Sequence, residues 1–250
     1  MSTDPPRRIA VFSDIHGNLH ALRAVLDDID RLGLRDLVCC GDVVGYGAFP
    51  NACCDILRER GIPTLAGNHD HAAIGMTDVS FFNEIARAAV QWTADELTDE
   101  NRHWLRERPY TYCLDPDFFF VHASPLKPEQ WGYVLTFGDA RLGFNEFTQR
   151  CCFIGHSHQP AIVIQQGADL SCPDENQPVI RIRTGERYLI NVGSVGQPRD
   201  HNPQACYVVA DLDEGRISYH RVPYDIEAAQ QAIVEGGLPQ VLAERIAFGW

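Results

Sequence analysis

The stretch Arg8-Ile-Ala-Val-Phe-Ser-Asp-Ile-His-Gly-Asn18 decides the fold. Arg8 to Ser13 reads as a buried strand, and it stops on two chemistry-bearing side chains, Asp14 and His16. Beyond Asn18, the residues Leu19, Leu22, Val25, Leu26 and Ile29 recur at helical spacing, which predicts a helix over Asn18 to Arg31 with Gly33 as its stop. Moving outward, the unit repeats. Leu37 to Cys40 reads as a second strand ending at Gly41-Asp42, Pro50 to Arg60 as a helix, and Ile62 to Ala66 as a third strand ending at Gly67-Asn68-His69-Asp70. A β-α-β-α-β order predicts parallel strands joined by helical crossovers.

Farther along, Ser80 to Arg108 carries a helical pattern broken near Thr98. Strands return at Tyr110–Leu114, Phe118–Val121 and Cys151–Ile154, with a helix near Asp139–Phe147 between the last two. The final third is strand-rich: Ala161–Ile164, Val179–Arg183, Tyr188–Val192, Cys206–Leu212 and Ile217–Val222. Asp213-Glu-Gly215 suits a hairpin turn, and a helix over Ile226 to Val234 ends at Gly236-Gly237. Gln165 to Pro178, rich in Gly, Asp, Pro and Asn, reads as an exposed loop. No repeat or linker divides the chain. One α/β domain over residues 1–250 is expected, with two sheets flanked by helices.

The composition sets limits on function. The chain has 250 residues, 45% hydrophobic and 22% charged, with a net charge of −13 and a single lysine, Lys127. Duplex nucleic acid and anionic membranes both need clustered cations to replace counterions, so neither is an expected partner. One small, locally attracted anion stays compatible with that charge. No apolar run of secretory or membrane-spanning length occurs, and a cytoplasmic protein is expected. The nine cysteines include three adjacent pairs and no C-x-x-C, so they read as small buried hydrophobes rather than a disulfide framework.

Five polar clusters each follow an apolar strand: Ser13-Asp14-Ile15-His16-Gly17-Asn18, Gly41-Asp42, Gly67-Asn68-His69-Asp70, Val121-His122-Ala123 and Gly155-His156-Ser157-His158. Carboxyl ends of strands form the ligand crevice of open α/β sheets, so these loops can converge. Singly, each has a plain structural explanation. Asp14 could cap a helix, Asn68-His69-Asp70 could close a turn, and His122 could be a satisfied core histidine. Jointly, carboxylates, an amide oxygen and imidazoles suit a borderline divalent ion such as Mn²⁺, Fe²⁺, Co²⁺ or Zn²⁺. In an extended segment His156 and His158 would face the same side.

These blocks resemble the signatures of the calcineurin-like metallophosphoesterases, from Ile9 to about Asp200, and Asn191-Val-Gly-Ser-Val-Gly-Gln-Pro-Arg-Asp200 resembles a late block of the small bacterial members described as diadenosine-tetraphosphatase-like or serine/threonine-phosphatase-like. The resemblance implies a four-layer αββα fold and two divalent ions, Mn²⁺ or Fe²⁺/Fe³⁺ first, with Zn²⁺, Co²⁺, Ni²⁺ or Mg²⁺ also compatible. Asp14, His16 and His158 would hold one ion, Asn68, His122 and His156 the other, and Asp42 would bridge them. Such a pair activates a bridging hydroxide for in-line attack on phosphorus. His69 would donate a proton to the leaving oxygen or stabilise charge on phosphate.

Protein phosphatases of the superfamily carry Asp-Arg-Gly where this chain has Gly45-Tyr46-Gly47, and Asp70 stands where they usually have glutamate. Arg199 is therefore the expected phosphate-binding replacement, with Tyr46 and Asn18 lining the pocket. A small phosphate ester or nucleotidyl phosphoanhydride is the expected substrate. Phosphoprotein is an alternative, and a non-catalytic metal-binding scaffold is another. Residues 72–109 could cap the cleft, with Phe81, Phe82, Trp92 or Trp104 stacking on a base, and Trp131-Gly132-Tyr133 is a second stacking candidate.

Overall fold

A computed structural model describes residues 8–80, 82–114, 116–173 and 179–250. Phe81, one of the stacking candidates, lies outside the described residues. Strands β1 (Arg8–Phe12), β2 (Asp36–Cys39), β8 (Val179–Arg181), β10 (Ala205–Asp211) and β11 (Arg216–Val222) form one sheet in the order β2-β1-β10-β11-β8. The second sheet runs β3-β4-β5-β9-β6-β7, from β3 (Thr111–Leu114), β4 (Phe118–Val121), β5 (Cys151–Ile154), β6 (Ala161–Gln166), β7 (Asp169–Ser171) and β9 (Glu186–Asn191). Both sheets are mixed. β1 pairs parallel with β2 but antiparallel with β10, and β5 pairs parallel with β4 and β9 while β6 runs antiparallel to β9.

Alternation along the strands explains the layering. Ile9 and Val11 join Phe120, Phe153, Tyr188 and Ile190 in the core between the sheets, while Ala10 and Phe12 pack against helices α1 (Leu19–Arg31) and α2 (Pro50–Glu59). On the far side, Cys152, Ile154 and Leu189 pack against α6 (Phe137–Phe144). Strands buried on both faces need apolar residues at every position. The adjacent cysteines follow this rule: Cys39 and Cys40 enter opposite cores, as do Cys151 and Cys152. Cys53 and Cys54 lie on a helix and share one core.

The structure departs from the sequence reading in a few places. Ile62–Ala66 is not a full strand but a single parallel bridge, Cys39 to Thr64. Pro63 has no N–H to donate, and the Ala66 N–H turns away to the Pro109 carbonyl at 2.9 Å. Asn68–Ala73 forms a short helix, α3, rather than a turn. The Gln165–Pro178 stretch contains the end of β6 and all of β7. An additional helix, α8 (Gln240–Phe248), follows α7 (Ile226–Glu235).

The 72–109 segment supplies α4 (Glu84–Glu96) and α5 (Asp99–Arg106), which meet at Thr98, the N-cap of α5. Its tryptophans serve packing. Trp104 is buried in the core beneath α1 and α2, and Trp92 donates to the Gly236 carbonyl at 2.7 Å, tying α4 to the end of α7. Phe82 alone among the described aromatics of this segment reaches the cleft, 5.1 Å from the His69 ring. Among the described residues, no helix is long and apolar enough to cross a membrane.

Candidate metal centre

The loops after β1, β2, β4 and β5 and the N-terminus of α3 meet at one end of the two sheets. Backbone hydrogen bonds stitch them together: Asp14 N–H to the Gly41 carbonyl at 3.0 Å, His16 N–H to Asp42 at 3.0 Å, and Gly155 N–H to His122 at 2.8 Å. The loop after β9 joins them through Gly196 N–H, which donates to the Asp14 carbonyl at 2.9 Å. Asp14, His16, Asp42, His156 and His158 all have positive φ, between 51° and 67°. Each such non-glycine residue costs about 1 kcal/mol or more, so their concentration here marks a site whose geometry the surrounding fold imposes.

Two clusters of donor atoms result, Asp14/His16/His158 and Asp42/His122/His156, each with its atoms within 4.8 Å of one another and every residue buried. The imidazoles are aimed by backbone carbonyls. His16 Nδ1 donates to Val44 at 3.1 Å, His122 Nδ1 to Cys40 at 2.9 Å and His158 Nδ1 to Gln197 at 2.6 Å. His156 bonds the Trp131 carbonyl, leaving its buried Nε2 with no partner. All four rings thus keep Nε2 for the centre, the arrangement seen around metal ions.

Asp42 lies between the clusters. Its Oδ1 accepts the His69 N–H at 2.8 Å, while the buried Oδ2 has no hydrogen-bond partner and sits 3.6 Å from His16 Nε2 and 3.4 Å from His122 Nε2. Asn68 Oδ1 faces His122 Nε2 at 3.2 Å, which adds an oxygen to the second cluster. Asp14 is steadied by the His156 N–H, 3.0 Å from its Oδ2.

The electrostatics fit a cation. Burial pushes His16 and His158 well below the usual histidine range and His156 down to about 3, so these rings present lone pairs. His16 Nε2 and His158 Nε2 nevertheless stand 3.1 Å apart. Burial raises Asp14 to about 7, against the pull of His122. For Asp42, burial works upward and is the largest single influence, but His122, His69 and His16 together outweigh it and hold the carboxyl well below its usual range. Burial also opposes charge on His122, yet Asp42 lifts it to about 9. An ion taken up at His122 Nε2 would have to displace any proton held there beside Asp42. Orphaned Asp42 Oδ2, orphaned His156 Nε2 and the facing imidazole nitrogens together fit divalent metal ions.

His69 belongs to neither cluster. Its ring lies 4.5 Å from Tyr46 and 4.9 Å from His16, and its buried Nδ1 has no partner. Burial lowers it to about 4, with Asp42 opposing and Arg199 reinforcing. Gly45 explains the missing partner: a Cβ there would lie 2.8 Å from His69 Nδ1, and Gly45 has φ +93°, so this loop has no room for an aspartate at that position. Asp70 instead accepts the N–H groups of Val44 and Gly67 at 3.0 and 3.1 Å and shapes the loop.

Tyr46 and Arg199 border the first cluster. Tyr46 is 4.7 Å from the His16 ring, and the Arg199 guanidinium stands 5.8 Å from the Tyr46 ring centroid. Asn18 is engaged within the fold, contrary to a substrate-lining role: Oδ1 caps α1 by accepting the Ala21 N–H at 3.1 Å, and Nδ2 donates to Gly196 at 3.0 Å. On the other side, Tyr133 stacks on His156 at 4.0 Å and Trp131 meets His71 edge-on at 5.3 Å. His71 was not evident in sequence, because a histidine one helical turn past Asn68 has no distinguishing spacing.

Close approach also explains Gly67. A Cβ there would fall 2.1 Å from Asp42 Oδ1 and 2.2 Å from the Asp42 backbone nitrogen. Gly67→Ala is expected to lower stability by about 1–3 kcal/mol through overpacking, read by denaturant melts, and to reduce metal content measured by elemental analysis. Wild-type metal content together with wild-type stability would refute this.

The calcineurin-like phosphoesterase superfamily domain matches residues 8–215. The MJ0912 protein of Methanocaldococcus jannaschii is 37% identical over 245 residues, covering 96% of this chain and 98% of that protein. A crystal structure of a metallophosphoesterase from Sphaerobacter thermophilus is 37% identical, covers 98% of this chain and 99% of its own, and superposes with a TM-score of 0.81. PH1004 from Pyrococcus horikoshii OT3, 19% identical with 97% and 98% covered, shares the fold at a TM-score of 0.77. With the domain and a near full-length relative both matched, the chain belongs to the calcineurin-like phosphoesterase superfamily.

Proposed function

We propose that this phosphoesterase is a dinuclear metal-dependent hydrolase of small phosphorylated molecules, nucleotidyl phosphoanhydrides first, simple phosphodiesters second and phosphoprotein last. One observation carries the reading: four imidazoles whose Nε2 atoms are kept for the centre, around the unpartnered Asp42 Oδ2. Asp14, His16 and His158 would hold one ion, Asn68, His122 and His156 the other, with Asp42 shared. When bound, such ions supply Lewis acidity and an activated water for in-line displacement.

The chain's own residues do the rest. His69, neutral in its buried position, offers a ring N–H to an oxygen of the substrate, either to steady charge on phosphate or to pass a proton to the leaving group. Arg199 grips phosphate through its planar fork, and Tyr46 braces it. Tyr133, 51% exposed and stacked on His156, offers a ring face to a base or other flat leaving group. Phosphoprotein ranks last because the Gly45-Tyr46-Gly47 loop lacks the aspartate and arginine of protein phosphatases. A scaffold would need neither two complete donor clusters nor His69 beside them.

The test is to strip the protein of metal, restore single divalent ions, and assay p-nitrophenyl phosphate, bis-p-nitrophenyl phosphate and diadenosine tetraphosphate. Metal-dependent turnover is expected, fastest with Mn²⁺ or Fe²⁺. No turnover of any of them with any ion overturns the proposal.

A further inference from the structure

The loop after β9, residues 192–204, supplies no member of either donor cluster, yet it braces the site. Ser194 Oγ donates to the Asp14 carbonyl at 2.8 Å, and the Gln197 N–H donates to Ser194 Oγ at 2.8 Å. Gln197 is 2% exposed and acts through two further atoms. Its backbone carbonyl accepts from His158 Nδ1 at 2.6 Å, which aims that imidazole at the first cluster. Its side-chain Oε1 accepts from Arg199 Nη2 at 2.9 Å. The Arg199 N–H in turn donates to the His158 carbonyl at 3.3 Å, so the ring, the amide and the guanidinium are tied together.

An arginine held by an amide needs a reason in a chain with 34 acidic and 21 basic residues. Among the described residues, no carboxylate side chain stands within salt-bridge distance of Arg199, and neighbouring Asp200 pairs with Arg221 instead. The buried Arg199 Nε has no partner. The guanidinium lies 5.8 Å from the Tyr46 ring, which is 4.7 Å from the His16 ring and 4.5 Å from that of His69. Since a guanidinium has only donors, the Gln197 amide must present its oxygen to it. A carboxylate in the same place would orient the fork as well, but it would neutralise the charge and compete with any anion. The amide orients the fork and leaves its charge unspent.

We propose that Gln197 is the positioning residue of the phosphate grip: its amide holds the Arg199 fork in place for a phosphate at the first donor cluster while leaving the guanidinium charge uncompensated. This rests on the phosphoesterase reading above and adds a residue that acts through Arg199 rather than on the substrate.

The test measures binding of inorganic phosphate to the Mn²⁺-loaded protein by calorimetry, together with KM and kcat for p-nitrophenyl phosphate. Gln197→Met keeps the side-chain length and loses the acceptor, whereas Gln197→Glu keeps the acceptor and adds charge. Phosphate binding is expected to weaken about 3–10-fold in Gln197→Met and about 10–100-fold in Gln197→Glu. KM rather than kcat should carry most of the loss. Thermal melting, expected to place Gln197→Glu no lower than Gln197→Met, separates charge from damage to the fold. Metal content should match the parent protein in both variants, because the carbonyl that aims His158 belongs to the main chain. In an Arg199→Met background, Gln197→Met should weaken phosphate binding no further. Parental phosphate affinity in Gln197→Glu, an undiminished effect of Gln197→Met without Arg199, or loss of metal from either variant overturns the proposal, as does a parent protein that binds no phosphate. If no substrate is turned over with any ion, the phosphoesterase reading fails separately, and the phosphate calorimetry still decides the role of Gln197.

Discussion

Asp42→Asn is expected to lower turnover by about 10³-fold or more, because in the proposed dinuclear centre one ligand would serve both ions. Elemental analysis should show fewer than two ions per chain. The geometry makes the direction clear. Asp42 Oδ1 already accepts the His69 N–H at 2.8 Å. An asparagine keeps that bond with its carbonyl oxygen, so its NH₂ falls where Oδ2 now lies. A donor then replaces the shared acceptor, facing His16 Nε2 and His122 Nε2 from the position that is 3.6 and 3.4 Å away. The substitution also removes the negative charge that lifts His122 to about 9, so the His122 pKa should fall in the metal-free protein, which NMR titration can follow. Full occupancy by two ions with wild-type turnover would show that Asp42 does not bridge.

The clustering of donor residues was legible in the sequence because four of the five clusters follow a strand, β1, β2, β4 or β5, and the fifth follows the bridge at Thr64, so all five end on one edge. The sharing of His156 and His158 between clusters was not legible by periodicity. Read as extended chain, they point the same way; in the structure both have positive φ, 67° and 61°, and they diverge to opposite clusters. The resemblance to the family supplied that division. Nothing local announces left-handed histidines, since neighbouring loops impose them through contacts such as Gly155 N–H to His122.

The same limit hid the carbonyls of Val44, Cys40, Gln197 and Trp131 that aim the imidazoles, because any residue type can supply a carbonyl. Helix α8 was missed for another reason. Gly236-Gly237 closes α7 convincingly, and the short apolar pattern beyond it gives no hint that it folds back onto Tyr46. The weak third strand failed on Pro63, whose missing N–H was visible in the sequence and should have demoted it.

His69→Ala is expected to reduce kcat by about 10²–10⁴-fold while leaving two ions bound, the range for losing a proton donor or a donor to developing charge. The separation follows from how His69 is attached. Its link to Asp42 runs through the backbone N–H, which alanine retains, so the orientation of the carboxylate survives truncation. The ring is in neither donor cluster. It is held by Tyr46 at 4.5 Å, Phe82 at 5.1 Å and the edge of His16, rather than by a hydrogen-bonded acid. Removing it opens space among aromatic neighbours, where added imidazole can enter, and partial recovery of kcat by imidazole is the signature that a purely structural histidine would not give. If His69→Ala empties the site of metal, the residue holds the centre together. If kcat is unchanged with both ions present, His69 neither passes a proton to the leaving group nor stabilises charge on phosphate, and the role given to it is wrong.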